Sequence, residues 1–178
     1  MRSSLLQLMR FRINMICYFC IMELRTFGVR RIGVISDTHR FVRPEALTAL
    51  RDVEHIIHAG DIGSPLVIDE LRRIAAVTAV RGNVDHGDLY PETAVVELGG
   101  ALIYVIHSID DLDLDPRAAG FSAVIYGHSH SAAQEARNGV LYFNPGSAGP
   151  RRFHLPVSIG YLTVRSRKIT GEIVHLDV

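Results

Sequence analysis

The chain has 178 residues, and 48% of them are hydrophobic, which is enough to bury one sizeable core, so we expect a single domain. Lysine plus arginine balance aspartate plus glutamate at 19 each, which excludes an overall basic field that would attract nucleic acid or an anionic membrane. The 2 cysteines are too few for a disulfide-stapled secreted fold, and we expect a cytoplasmic protein.

Residues 1–29 differ in character from the rest of the chain. Their apolar stretch is interrupted by arginines and an asparagine, so it falls short of the roughly 20 apolar residues of a membrane span, and no signal-peptide cleavage site follows. Cys17 and Cys20 have the spacing of a zinc half-site, but no second cysteine or histidine pair lies nearby. We interpret residues 1–29 as an N-terminal extension and residues 30–178 as the domain.

Apolar runs alternate with stretches of helical spacing in the next part of the chain. The first run, residues 31–36, is apolar on both faces, as a central parallel strand is. Pro44 and Ser64 stand where helices are expected to begin. We predict strands and helices in the order β-α-β-α-β, over residues 31–36, 44–52, 55–61, 64–75 and 76–83. This order indicates a sheet covered by helices.

The second half of the chain is predicted to be mostly antiparallel strands. Residues 93–108 read as two strands joined across Gly99 and Gly100, as in a tight hairpin. Further strands are predicted over residues 121–130, 139–147, 158–166 and 171–178. We therefore predict one α/β domain, a two-sheet α/β sandwich in which the sheets pack face to face with helices outside (αββα).

Polar side chains follow the predicted strands at the points where the strands end. They are Asp37, His39, Asp61, Asn83, His107, His128 and His130. Ligands of open α/β sheets gather outside the carboxyl ends of strands, so these side chains are expected to converge. Residues two apart in an extended segment project to the same side, so the pairs in the segments SDTH and GHSH are each expected to face one cavity.

Each of these fragments has a structural alternative. Asp-x-Thr caps helices, Gly-Asp and Gly-Asn are common turn dipeptides, and a single histidine after a strand is often a surface or core residue. Together, however, they offer two carboxylates, one amide and four imidazoles, a mixed set suited to Mn, Fe, Ni or Zn. Seven ligands exceed what one tetrahedral zinc takes, and a bridging carboxylate would divide them between two ions. Paired ions clamp the attacking and leaving oxygens of a phosphoryl displacement.

The ordered motifs D-x-H, G-D, G-N-x-D, H, G-H-x-H and N-P-G-S resemble the calcineurin-like metallophosphoesterase superfamily, most of all its small single-domain bacterial and archaeal phosphodiesterases. The resemblance covers residues 30–178 and implies a metallophosphoesterase-like fold with two divalent metal ions, for which we expect Mn, with Ni, Fe or Zn as alternatives. It implies one ligand set of Asp37, His39, Asp61 and His130, and a second of Asp61, Asn83, His107 and His128. Asp61 would bridge the two ions.

The family also implies a proton donor for the leaving group in the segment after the asparagine. Here that segment offers Asp85, which the position favours, and His86, whose pKa suits general-acid work near neutrality. The structural alternative for His86 is an exposed loop histidine. The family usually has glycine where this chain has Ser108, and a serine held at positive φ would be strained by about 1 kcal/mol.

Three further features have both structural and functional interpretations. The segment Asn144–Ser147 is expected to close a tight loop beside the site rather than to contact substrate. His58, three residues before Asp61, could orient a ligand. Arg151 and Arg152 either meet a phosphate from the rim or form a solvated surface turn.

We expect metal-dependent hydrolysis of phosphodiester bonds, by in-line attack of a hydroxide that bridges the two ions. Two alternatives stay open: a phosphomonoesterase on the same site, and a scaffold that resembles the retromer subunit of this fold, in which metal ligands have decayed. No expected ligand is replaced in this chain, which favours the enzyme. The expected partner is a small phosphodiester substrate, with no membrane and no long nucleic acid, since no basic strip is interleaved with aromatic residues. A homodimer is left open.

Overall fold

The computed structural model describes residues 30–152 and 154–178. Within them, ten strands form two sheets of five, accompanied by two α-helices and one 3-10 helix. The predicted N-terminal extension, including both cysteines, lies outside the described residues. None of the described helices is both long enough and apolar enough to cross a membrane.

The strands alternate with the helices in the first part of the chain and follow one another in the second. The strands are β1 (Arg30–Ile35), β2 (His55–His58), β3 (Ala76–Ala79), β4 (Thr93–Leu98), β5 (Ala101–Ile106), β6 (Ala123–Ile125), β7 (Ala133–Arg137), β8 (Val140–Asn144), β9 (Ser158–Arg165) and β10 (Lys168–His175). The helices are α1 (Pro44–Ala49), α2 (Pro65–Arg72) and the 3-10 helix Ile109–Asp111.

The first sheet has the strand order β10-β9-β1-β2-β3, with β1, β2 and β3 parallel. Both helices begin as predicted: Pro44 is the first residue of α1, and the Ser64 hydroxyl caps α2 by accepting a hydrogen bond from Leu66 N at 3.4 Å. Buried side chains of the helices, such as Ala46 and Leu71, pack on one face of this sheet. The predicted β-α-β-α-β unit is therefore present.

The second sheet has the order β4-β5-β6-β8-β7 and is mixed rather than antiparallel throughout. Its outer pairs are antiparallel, as predicted, but β5, β6 and β8 in the middle run parallel. The last two strands return to the first sheet, where β9 pairs with β1. Strand β7 was not predicted, because all five of its residues are exposed and it shows no apolar alternation.

The two sheets pack face to face, which confirms the predicted two-sheet α/β sandwich. Ile32 and Val34 of the first sheet share one buried cluster with Ile103 and Phe143 of the second. On the outer face of the second sheet, side chains of the segment 109–121 pack where the sandwich would otherwise be open. The parallel strands of both sheets thereby direct their carboxyl ends to one edge of the molecule.

Candidate metal centre

The first part of the site is built where β1 and β2 end. Asp37 N donates to Gly60 O at 3.0 Å, and His39 N donates to Asp61 O at 3.0 Å, so the two loops run side by side. The side chains of Asp37 and Asp61 are both buried. Neighbouring parallel strands thus deliver two carboxylates to the same place, as the sequence predicts.

Five of the predicted ligands adopt the left-handed backbone conformation. They are Asp37 (φ 56°), His39 (φ 47°), Asp61 (φ 55°), His128 (φ 68°) and His130 (φ 57°). The expectation that each pair converges through an extended segment is therefore wrong, because the chain turns sharply at every one of these positions. Non-glycine residues in this conformation store about 1 kcal/mol or more each, and such strain concentrates at functional sites.

The Asp61 carboxylate lies between two groups of donor atoms. Its Oδ2 atom is 3.7 Å from His39 Nε2, whereas its Oδ1 atom is 3.3 Å from His107 Nε2. In the first group, His130 Nε2 is 3.3 Å from both Asp37 Oδ1 and His39 Nε2. The donor atoms of Asp37, His39, Asp61 and His130 all lie within 4.8 Å of one another. The structure thus brings the first predicted ligand set together.

The second group forms around Asn83. Its Oδ1 atom lies 3.2 Å from His107 Nε2 and 3.1 Å from His128 Nδ1. His107 Nδ1 is 2.7 Å from Ala59 O, to which it donates, so in the neutral ring Nε2 carries a lone pair. The amide oxygen and the ring nitrogen then both present lone pairs to the same point. A cation would relieve that conflict, and the second predicted ligand set is therefore also assembled.

The electrostatics of the site favour a cation. Burial raises the pKa of Asp37 to about 6, which leaves it ionised at neutral pH. Burial acts in the same direction on Asp61, but hydrogen bonds from His107 and Val84 N outweigh it and lower the pKa to about 2. Burial lowers the pKa of His130 to about 4, so this ring is neutral. Burial opposes protonation of His107, but its contacts with Asp61 and Ala59 O outweigh burial and raise its pKa, so the two carboxylates draw positive charge to the site. A divalent metal ion would take the place of that proton, because a metal binds the neutral imidazole.

Two buried atoms of the first group, Asp37 Oδ1 and His130 Nδ1, have no hydrogen-bond partner anywhere in the described part of the chain. A buried carboxylate oxygen without a donor is costly, and a bound cation would satisfy it. The donor set and this orphaned oxygen therefore fit a metal ion held by the first ligand group.

Two glycines provide the space that the ligands occupy. A Cβ atom on Gly82 would collide with Asp61 Oδ1 and N and come within 2.8 Å of His107 Nε2. A Cβ atom on Gly127 would collide with Ser36 Oγ and come within 2.8 Å of Asp37 Oδ2. Neither glycine has a positive φ, so both are needed for close approach rather than for an unusual turn.

The segment Asn144–Ser147 supports the GHSH loop from below. Asn144 Nδ2 donates to Gly127 O at 2.7 Å and to Ser129 Oγ at 3.1 Å, and its Oδ1 atom accepts from Gly146 N at 2.8 Å. Asn144 is fully buried. These contacts agree with the structural role expected for this segment.

His58 connects the two ligand loops of the first sheet. Its Nδ1 atom accepts a hydrogen bond from Gly60 N at 3.2 Å, so its proton is on Nε2, which donates to Thr38 Oγ1 at 3.0 Å. The Thr38 hydroxyl in turn donates to Ile62 O at 3.1 Å. Burial lowers the pKa of His58 to about 3, which keeps the ring neutral. This relay fits a role in orienting Asp61.

Asp85 lies against the backbone rather than facing the donor atoms. Its carboxylate accepts hydrogen bonds from Ile62 N at 3.0 Å, Gly63 N at 2.6 Å and Gly82 N at 2.9 Å. Both oxygens are used as acceptors, which does not fit the predicted role as proton donor to the leaving group. Instead, Asp85 holds the loop after β2 against the loop after β3. His86 is exposed, and its predicted role as the acid stays a prediction.

Ser108 is not strained, contrary to the concern raised by the missing glycine. Its backbone is extended, with φ −102° and ψ 128°, a conformation that any residue adopts. Its hydroxyl accepts a hydrogen bond from Asp110 N at 3.3 Å and so caps the 3-10 helix. Serine at this position carries no backbone penalty for the neighbouring His107.

A cleft of about 810 Å³ opens beside the second donor group. Its lining includes the ligands Asn83, His107 and His128, with Tyr104, Ile106, Ser108 and the aspartates 110, 111 and 113. Arg81 also lines the cleft, but its charge is offset by ion pairs with Glu92 and Asp88. This cleft could not be predicted from the sequence, because its walls come from separate loops that share no motif.

Comparison with known proteins agrees with this geometry. Residues 31–167 match the family model of the calcineurin-like phosphoesterase superfamily domain. A probable metallophosphoesterase of Methanothermobacter thermautotrophicus is 34% identical over 81% of this chain and 91% of its own length. The solved structure of an archaeal phosphodiesterase superposes with a TM-score of 0.66 at 26% identity, over 81% of this chain and 99% of that one. The zinc complex of Vps29 from Entamoeba histolytica superposes with a TM-score of 0.63 at 22% identity, over 83% and 99%, and shares the fold.

Proposed function

We propose that this chain, which belongs to the calcineurin-like phosphoesterase superfamily, hydrolyses small phosphodiesters at a centre of two divalent metal ions. The observation that carries the proposal is the position of Asp61. Its two carboxylate oxygens face different donor groups, one with His39 at 3.7 Å and the other with His107 at 3.3 Å. A carboxylate so placed can bridge two ions that each have further ligands of their own.

The chain's own residues prepare the site for an anionic substrate. Two ions bound there would supply an activated water and would neutralise charge that develops on the phosphoryl group. Asp37 and Asp61 together carry two negative charges, so two divalent ions keep a surplus of about two positive charges. His107 is oriented by the 2.7 Å hydrogen bond from its Nδ1 atom to Ala59 O, which leaves Nε2 available to a metal. We propose Mn as the metal, with Ni, Fe or Zn as alternatives.

The proposed substrate is a diester with one small ester arm. The likeness to an archaeal phosphodiesterase supports the diester, and the cleft beside the second donor group offers room for the arm. Three aspartates on the cleft wall repel a long polyanion, which argues against nucleic acid. We propose that the protein acts in the cytoplasm on such small molecules.

The experiment compares the wild type with Asp61→Ala. We expect the purified wild type to contain divalent metal and to hydrolyse bis(p-nitrophenyl) phosphate with Mn²⁺, and the variant to lose at least one ion per chain and most of the activity. Asp69→Ala is the control, because Asp69 is an aspartate on the exposed face of α2 with a side chain that is 58% exposed. Full activity of Asp61→Ala would refute the proposal.

The two-ion arrangement is tested by the histidines of the GHSH loop. His130 belongs to the first donor group and His128 to the second. We expect His130→Ala and His128→Ala each to lose one ion per chain while retaining the other. Loss of both ions from both variants, or of neither, would contradict a divided site.

The same assays separate the rival functions. Faster hydrolysis of p-nitrophenyl phosphate than of the diester would identify a phosphomonoesterase. A scaffold comparable to Vps29 would show no hydrolysis after Mn²⁺ is added. Metal content alone does not decide between enzyme and scaffold, since Vps29 of Entamoeba histolytica has been solved with zinc.

A further inference from the structure

We propose that Arg152 binds a non-bridging oxygen of the substrate's phosphate, an inference that rests on the proposed function. Arg152 Nη2 lies 3.4 Å from His39 Nε2, one of the donor atoms of the first group. Guanidinium groups donate hydrogen bonds and match phosphate oxygens in geometry. An arginine this close to the metal ligands is placed to meet an anion bound at the same centre.

The charge of Arg152 is available to a ligand. Within the described part of the chain, Arg152 forms no ion pair with a carboxylate, whereas Arg81 on the cleft side pairs with Asp88 and Glu92. Among the residues that the structure describes, Arg152 is therefore a cation without a carboxylate partner at the edge of the first donor group.

The loop that carries Arg152 is fixed against the ligand loop of β1. Arg43 Nε donates to Gly149 O at 3.1 Å, and a Cβ atom on Gly149 would collide with Asp37 O and come within 2.6 Å of Thr38 O. This close approach sets the backbone only three residues before Arg152. The backbone that leads to Arg152 is therefore packed against the ligand loop, and the exposed side chain of Arg152 reaches His39 from there.

The neighbouring arginine points elsewhere. Arg151 Nη2 donates to Val178 O at 3.4 Å, and over residues 30–152 and 154–178 no contact joins Arg151 to the donor groups. The structure thus divides the pair: Arg152 faces the site, while Arg151 belongs to the surface. The two residues share charge, exposure and loop, which makes Arg151 a matched control.

The arrangement also gives the substrate a direction. Arg152 stands beside the first donor group, and the cleft opens beside the second. A phosphate between them would direct one oxygen to Arg152 and its ester arm toward the cleft. Because a phosphomonoester carries more negative charge than a diester, Arg152 would contribute more to the binding of a monoester.

The test compares Arg152→Ala, Arg152→Lys and Arg151→Ala in the metal-loaded protein. We expect Arg152→Ala to retain its metal, to raise KM for bis(p-nitrophenyl) phosphate by about tenfold to a hundredfold, and to weaken the binding of inorganic phosphate in calorimetric titration by a similar factor. Arg152→Lys should have a KM and a phosphate affinity between those of the wild type and Arg152→Ala, because lysine keeps the charge but loses the fork geometry. Arg151→Ala should match the wild type in all three measurements.

Equal KM and equal phosphate affinity in Arg152→Ala and Arg151→Ala would overturn the assignment. Loss of metal from Arg152→Ala would overturn it too, because Arg152 would then support the ligands instead of the substrate. If the wild type hydrolyses neither diester nor monoester, the proposed function fails, but the phosphate titration still decides whether Arg152 binds an anion.

Discussion

His58 shows how one buried residue can determine the geometry of two ligand loops. Its ring accepts a hydrogen bond from Gly60 N and donates one to Thr38, and it is completely buried. Both contacts require the neutral tautomer with the proton on Nε2. A protonated ring could no longer accept from Gly60 N, so the relay between the loops depends on the charge of this histidine.

We predict that His58 makes the metal-free protein less stable as the pH falls below about 6.5. The pKa is 6.5 for an ordinary histidine and about 3 for His58 in the folded protein, so between these values the unfolded chain binds the extra proton. The free energy of unfolding should therefore fall by up to about 1.4 kcal/mol per pH unit. Urea unfolding in EDTA, over a series of pH values in this window, measures the slope for wild type and His58→Gln.

Glutamine is the appropriate replacement, because its amide can accept from Gly60 N and donate to Thr38 without titrating. Asp37 contributes with the opposite sign: its pKa rises from 3.8 to about 6 on folding, so it destabilises the folded state as the pH rises through that range. Both proteins contain Asp37, so the difference between their slopes belongs to His58. Identical slopes would contradict the prediction.

At the scale of elements, Asp85 holds together the loops that follow β2 and β3. Its carboxylate accepts hydrogen bonds from the backbone N–H groups of Ile62, Gly63 and Gly82, which lie one or two residues from the ligands Asp61 and Asn83. The first sheet thus positions ligands through the contacts between loops as well as through the parallel strands. Removing an acceptor here would leave backbone N–H groups without partners.

We predict that Asp85→Asn lowers both stability and metal affinity. Asparagine has one acceptor oxygen and would turn an NH₂ group toward N–H donors, so we expect a loss of about 1–3 kcal/mol in the free energy of unfolding. Urea unfolding and metal titration check this. Asp88→Asn, three residues away at a fully exposed side chain, is the control and should change neither.

The same variant tests the earlier hypothesis that Asp85 is the leaving-group acid. If Asp85 were that acid, Asp85→Asn would lose activity and the basic limb of its pH–rate profile, while its stability stayed unchanged. We expect the opposite, with the basic limb retained and stability reduced. A missing basic limb in a fully stable Asp85→Asn protein would restore the catalytic role.

Strands could be predicted from the sequence where burial gives them an apolar pattern. Strands such as β1 and β5 are apolar runs, and the ligands at their ends follow from strand direction, whereas the fully exposed β7 leaves no such pattern. The structural role of Asp85 could not be predicted, because its partners are backbone N–H groups, whose positions are not evident from the amino-acid sequence. For the same reason, the sequence could not tell which of Arg151 and Arg152 faces the site.

At the scale of the whole molecule, the candidate metal centre joins the two sheets. Asp37, His39, Asp61 and Asn83 follow strands of the first sheet, and His107, His128 and His130 follow strands of the second. Direct links are few but specific, such as the hydrogen bond from His128 N to Asp37 Oδ2 at 3.2 Å. Ions bound there would connect the halves of the sandwich at its carboxyl edge.

We predict that divalent metal stabilises the whole fold. An ion that binds only the folded state raises the free energy of unfolding by about 2.7 kcal/mol at a concentration one hundred times its Kd. Thermal unfolding should therefore shift upward when Mn²⁺ is added to EDTA-treated wild type, with a much smaller shift for Asp61→Ala. Equal shifts for the two proteins would indicate that Mn²⁺ binds elsewhere.

The left-handed backbone at five ligand positions has a consequence for the balance between stability and activity. Glycine would relieve about 1 kcal/mol of backbone strain at each position, but at a buried ligand such as Asp61 it would also remove a hydrogen bond from Val84 N. This chain instead keeps aspartate and histidine at all five. His128 is exposed, so His128→Gly should be more resistant to unfolding in EDTA than the wild type, which would show that this side chain is kept at a cost in stability.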